Sequence, residues 1–78
     1  MILIESVSGT GNDSWTYTGT QTPGCIAFAN DGAVDDTIVI SGHSIIVKPG
    51  ESFDVSFSKP FNEVAVTAVG GWRMLIGK

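Results

Sequence analysis

Thr37-Ile38-Val39-Ile40 and Ser44-Ile45-Ile46-Val47, joined by Ser41-Gly42-His43, form the stretch from which the fold is read. Two short β-branched runs around a glycine-containing connection are the pattern of an antiparallel hairpin. Val, Ile and Thr suit pleated backbone because a branched Cβ stiffens χ1 and packs well on a sheet. Next, Lys48-Pro49-Gly50-Glu51 places Pro and Gly at the two central positions of a type II turn, the second of which needs φ > 0. Phe53, Val55 and Phe57 then alternate with Asp54, Ser56 and Ser58, giving the next strand one apolar and one polar face. Lys59-Pro60 ends it, since proline brings no donor to a ladder.

The same alternation continues on both sides of this segment. Towards the C-terminus, residues Phe61 to Val69 read as a strand with Val64, Val66 and Ala68 on one face and Glu63, Ala65 and Thr67 on the other. Gly70-Gly71 permits a tight reversal before Trp72-Arg73-Met74-Leu75-Ile76, where Trp72, Met74 and Ile76 share a face and are expected to be core. Towards the N-terminus, Ile2 to Val7 is a strand, Ser8 to Asp13 a loop, and Ser14 to Thr18 a strand alternating aromatic with hydroxyl residues. Gly19 to Pro23 is a turn. Cys25-Ile26-Ala27-Phe28-Ala29 is apolar on both faces, as in a strand buried between layers or at a contact. No run of ten residues shows a 3.6-residue period.

About eight short strands in 78 residues cannot lie in one open sheet, because its apolar face would remain in water. The expectation is an all-β single domain spanning residues 1–78: a small antiparallel β-sandwich with jelly-roll or Greek-key connections, a closed small barrel being the alternative. The second half reads as a meander of adjacent strands.

Composition narrows the function. Charged residues are 15% of the chain and the net charge is −4, with only Lys48, Lys59, Arg73 and Lys78 positive. Nucleic acid and anionic membrane surfaces both call for clustered cations, so neither is an expected partner. One cysteine, Cys25, permits no intrachain disulfide and no thiolate zinc cluster. Oligomerisation is then the most economical support for so small a core. Met1-Ile2-Leu3-Ile4 stops at Glu5 without a basic flank or a long apolar run, so it reads as a strand and not as a signal peptide. The expectation is a complete small gene product made in a host cytoplasm.

Motifs for catalysis are thin. His43 sits at a hairpin tip with no nucleophile placed beside it, and Gly9-Thr10-Gly11-Asn12 lacks the helix and Lys of a phosphate loop. Neither an enzyme nor a cofactor is expected. Asp31, Asp35 and Asp36 offer hard oxygen ligands that would suit Ca²⁺, but without the spacing of an EF-hand loop, and a solvated acidic loop is the plainer reading. Trp15 and Tyr17, alternating with Thr, are expected to face a partner, together with Ile2 and Ile4 of the first strand. A glycan is a second occupant of the Trp15 and Tyr17 rings, beside Asn12 and Asp13, and an acidic inhibitor of a host protein is a third reading.

In its turn chemistry and strand pattern, Ile45-Ile46-Val47, Pro49-Gly50-Glu51, Phe53, Pro60-Phe61, Val64-Ala65-Val66 and Trp72-Arg73-Met74-Leu75-Ile76, the chain resembles small β-sandwich structural proteins of tailed bacteriophage virions, of the capsid decoration or tail and fibre-base type. That resemblance covers about 40% of the chain, judged by the apolar strand pattern. It implies a homo-oligomer, a trimer or a ring, docked on a viral structural protein lattice in the virion.

Overall fold

Where the expected hairpin lies, Ile40 and His43 face one another and only Ser41 and Gly42 turn the chain, with φ of 51° and 79°. Positive φ at both central positions is a type I′ turn, whose twist matches that of the strands it joins. His43 therefore opens a strand and does not sit in the loop. Lys48-Pro49-Gly50-Glu51 adopts the expected type II turn: Gly50 has φ of 78° and the Glu51 N–H donates to the Lys48 carbonyl at 2.9 to 3.1 Å spacing typical of such bonds, here 3.0 Å.

The computed structural model describes all residues from Met1 to Lys78. Eight strands are present: β1 (Leu3–Thr10), β2 (Asp13–Thr16), β3 (Cys25–Asn30), β4 (Asp36–Ile40), β5 (His43–Val47), β6 (Ser52–Ser56), β7 (Glu63–Thr67) and β8 (Gly71–Gly77). They form two four-stranded antiparallel sheets, ordered β1-β8-β3-β6 and β2-β7-β4-β5. Each strand pairs with its mirror image along the sequence, β1 with β8, β2 with β7, β3 with β6 and β4 with β5. The pairings β8-β3 and β7-β4 then close the two sheets. This is one long hairpin wrapped over itself, the jelly-roll solution to covering two apolar sheet faces.

That topology corrects the meander expected of the second half. Only β4 and β5 are consecutive neighbours, and β6, β7 and β8 alternate between sheets. Alternation in a sequence marks which face of a strand is buried but not from which side it covers the core, so both arrangements satisfy the same pattern. The first strand also runs three residues further than expected, through Ser8-Gly9-Thr10. Gly9 sits opposite Trp72 in the ladder, and a Cβ there would lie 2.5 Å from the indole. A residue that looks like loop composition is strand because the tryptophan needs the space.

The core lies between the sheets. Ile26 and Phe28 of β3 and Trp72, Met74 and Ile76 of β8 face Trp15, Ile38, Ile40, Val47, Val64 and Val66 of the second sheet. Phe61 and Ala68, flanking β7, complete the buried set. The Cα radius of gyration is 11.6 Å, close to the roughly 11.5 Å expected for a chain of this length.

Candidate functional site

At one end of the sandwich the closing groups are polar. Asn30, the last residue of β3, is buried and uses its whole amide: Nδ2 donates to the Val34 and Val47 carbonyls at 2.8 and 2.9 Å, and Oδ1 accepts from Gly32 N–H at 2.8 Å. One side chain thus ties β3, the following loop and the end of β5. Trp72 Nε1 donates to the Gly11 carbonyl at 2.9 Å, and Asn12 Oδ1 accepts from the Ala68 N–H at 2.9 Å. The loops holding Gly32 and Gly70 touch backbone to backbone, since a Cβ on Gly70 would lie 2.8 Å from the Gly32 Cα.

Asp36 departs from this satisfied pattern. It opens β4 opposite Val47, is fully buried, and neither carboxyl oxygen has a hydrogen-bond partner. Asn30 has spent both its hydrogens on the carbonyls of Val34 and Val47, which leaves none for the carboxyl. Burial, and secondarily the charge of Asp35, raises its pKa above the ordinary carboxylate value of 3.8. Asp31 goes the other way: hydrogen bonds from Arg73 Nε at 2.6 Å and Nη2 at 3.1 Å lower its pKa on the protein surface.

The three acidic residues considered as Ca²⁺ ligands are therefore not gathered. Asp31 faces outward onto Arg73 and Asp36 faces inward, and no group of three or more His, Cys, Asp or Glu is close enough to hold a metal ion.

The opposite end is closed by rings. Tyr17 stacks on Trp15 at a centroid distance of 5.9 Å, Trp15 meets Phe61 at 6.2 Å, Phe61 meets Phe57 at 5.6 Å, and Phe57 lies 6.1 Å from the exposed His43. Trp15 is only 7% exposed, and its Nε1 is buried without a partner. This corrects the expectation that Trp15 faces outward. Its neighbours Ser14 and Thr16 take the wet face of β2, which turns the indole inward against Val64 and the core. Tyr17 lies beyond the strand, half-buried, with its hydroxyl accepting from the Gln21 N–H at 3.3 Å. The flat surface that a sugar would stack on is thus largely covered by the protein itself.

The first strand opens with an irregularity. Leu3 sits opposite Gly77, and a β-bulge follows between Leu3 and Glu5. Ile4, within the bulge, is half-buried, and Ile2, though exposed, pairs its backbone with Lys78 at the end of the ladder. It is Met1 and Leu3, 58% and 56% exposed, that lie on the outer face of the β1-β8-β3-β6 sheet. Met1 packs over Gly77, where any Cβ would run into its side chain.

That outer face is the most developed surface of the molecule. Ser6, Leu75, Ala27 and Asp54 form one row across the four strands, and Ser8, Arg73, Ala29 and Ser52 form the next. Large side chains stand on β8 and small ones on β3, leaving a hollow of about 630 Å³ over the face. Leu75 is 42% exposed at its border. Half-buried Cys25 continues the small row of β3, its Sγ 3.4 Å from Ser56 Oγ. The outer face of the other sheet is flatter and rich in hydroxyls, with Thr37, Thr67, Ser14 and Ser44 around exposed Val39 and Ile46. Sequence reasoning passed over Leu75 and Ile46 because each sits in an apolar run where the outward member resembles its buried neighbours. Strand parity counted from Trp72 identifies Leu75, whereas Ile46 is outward only because the two-residue turn at Ser41-Gly42 sets Ile45, and not Ile46, opposite Ile38.

No protein-family model, no curated protein and no solved structure matches this chain.

Proposed function

We propose that this protein is a non-enzymatic structural protein of a virion, a capsid decoration protein that self-associates and docks on the repeated lattice of a major structural protein. The observation that carries the reading is that both outer faces of so small a sandwich hold large apolar side chains in water: Met1, Leu3 and Leu75 on one, Val39 and Ile46 on the other. A protein with two such faces is suited to bridging, because one can meet the lattice while the other meets a neighbouring copy. Low charge fits surfaces that pack against protein, and the resemblance to phage β-sandwich proteins supplies the setting.

The mechanism is mechanical. Burying apolar surface contributes roughly 25 cal/mol per Å², and association entropy offsets much of that for a single copy. Repetition over a symmetric lattice restores the advantage, because a linked second contact forms at high effective concentration. Ile46 and Val39 are the lattice-facing residues in this reading. The test is co-sedimentation of the purified protein with decoration-free capsids of the tailed-phage type, compared with an Ile46→Glu variant. Saturable binding lost in Ile46→Glu supports the reading, and absence of wild-type binding to any such lattice overturns it.

A further inference from the structure

We propose that the outer face of the β1-β8-β3-β6 sheet is where two copies of this chain pair about a twofold axis; the proposal rests on the self-association in the reading above and gives it a surface. The hollow runs across all four strands, with Leu75 and Arg73 of β8 standing in it beside the small Ala27 and Ala29 of β3. Met1, Leu3 and Leu75 stand on the β1-β8 half, and Ala27 and Ala29 floor the β3 side. A twofold axis requires the same patch on both copies, with each feature meeting its complement.

The strand register selects the axis. Running along the strands between β8 and β3, it lays the β1-β8 half of one copy on the β3-β6 half of the other. Leu75 then falls on Ala27 of the second copy, Arg73 on Ala29, Leu3 on Ser56 and Ser6 on Asp54. Large meets small, and a hydroxyl meets a carboxylate. An axis across the strands at the Leu75 row would instead place Leu75 against Leu75 and Ala27 against Ala27, large on large and small on small.

Charge agrees with the same axis. The two Arg73 side chains come side by side, each neutralised by its own Asp31 at 2.6 Å, while the two Asp54 carboxylates are carried to opposite edges. The central strands contribute mostly apolar residues and the flanking strands β1 and β6 mostly Ser and Asp, the distribution of an interface with an apolar middle and a polar rim.

The area sets the strength. Four strands about 4.8 Å apart and three rows about 7 Å apart cover roughly 400 Å² per copy in plan. That is near a tenth of the 4574 Å² surface of the chain. At roughly 800 Å² for the two copies together the pair falls below the size of stable specific interfaces, so the dimer is a weak one that dissociates on dilution and gains from being held on a lattice.

Sedimentation velocity over a concentration series tests this, with Leu75→Glu and Ala29→Glu on the proposed face and Ile46→Glu on the opposite one. Near-ultraviolet circular dichroism checks that each variant is folded. A second readout uses the native Cys25, which the axis brings beside its counterpart: a short bis-maleimide should capture the wild-type dimer covalently. The expected result is a wild-type monomer-dimer equilibrium, weakened about tenfold or more by Leu75→Glu and by Ala29→Glu and unchanged by Ile46→Glu. Cross-linking through Cys25 should fall in parallel. Self-association that survives Leu75→Glu in a folded protein, or a dimer that Cys25 does not capture, overturns this face while leaving self-association standing. A wild type that stays monomeric at every concentration overturns the pairing, and capsid binding by that monomer would show that the docking reading has not fallen with it.

Discussion

The two ends of the sandwich are closed by opposite means. At one, Asn30 joins three segments through three hydrogen bonds, Trp72 reaches the Gly11 carbonyl, and backbones touch at Gly32 and Gly70. At the other, Tyr17, Trp15, Phe61 and Phe57 succeed one another ring against ring, with no side-chain hydrogen bond joining one ring to the next. Directional bonds tolerate little exchange, because a removed partner leaves buried groups unsatisfied. Aromatic packing is graded, since a smaller ring loses contacts in proportion to the atoms lost. The polar end should therefore be brittle and the aromatic end forgiving.

Asn30→Leu tests the brittle end with a side chain of similar size. It removes the partner of the buried Val47 carbonyl and of the partly buried Val34 carbonyl and Gly32 N–H, at about 1–3 kcal/mol for a buried group left unpaired and less for the other two. The expected loss is about 3 kcal/mol, a large share of the roughly 4–12 kcal/mol expected for a domain of this length. Urea denaturation should show a much lower midpoint or an unfolded protein. A loss below about 1 kcal/mol would mean that the amide hub does not hold this end.

Asp36 sharpens the comparison because it lies at the brittle end and is the one side chain there without partners. Its folded pKa is raised above 3.8 by burial, so the unfolded chain gives up this proton first as pH rises. Its contribution is therefore least unfavourable below about pH 4 and becomes steadily more unfavourable up to the folded pKa, beyond which the penalty is constant. Asp31 has the reverse sign: held down by Arg73, it stabilises above its unfolded value and loses that as pH falls. Asp36→Val should remove the first slope and leave the second, raising stability at neutral pH by about 1–3 kcal/mol. Thermal melts of both proteins from pH 3 to pH 8 read this directly, and parallel profiles would show that Asp36 does not titrate as its burial requires.

How far the fold was legible follows from what each signal encodes. The type II turn at Lys48-Pro49-Gly50-Glu51 and a reversal around Gly42 are legible because positive φ at glycine is a local demand, whereas the placing of His43 in the strand, with Ser41 also at positive φ, is not. The inward faces of β6, β7 and β8 were readable because parity is local too. Sheet membership was not, since β6 to β8 alternate between sheets with no change in pattern. Of the candidate surface, the apolar start of the first strand is legible, but the bulge between Leu3 and Glu5, which shifts the register there, is not a local signal. Asn30 has the composition of a turn residue, and its burial depends on Val47, seventeen residues away. Trp15 stands in an alternation of aromatic and hydroxyl residues that by itself permits an outward ring, although the same alternation places Ser14 and Thr16 outside and the indole inside.

The smallest expected effect is at that indole, and it decides whether the aromatic end is as forgiving as its chemistry suggests. Trp15→Phe keeps a ring against Tyr17 and Phe61 while removing an Nε1–H that is buried without a partner. Lost packing costs stability, whereas deleting an unsatisfied donor returns some, since the desolvation of that group is no longer incurred. The two terms oppose, and a net loss of about 1 kcal/mol or less is expected from denaturant melts. A loss as large as that of Asn30→Leu would show that the ring chain is as specific as the hydrogen-bonded hub, and the contrast between the two ends would fail. A small loss, with hydrogen exchange quickened at Ser14 and Thr16 but not at Phe28, would place the extra motion at the aromatic end and leave the polar end closed.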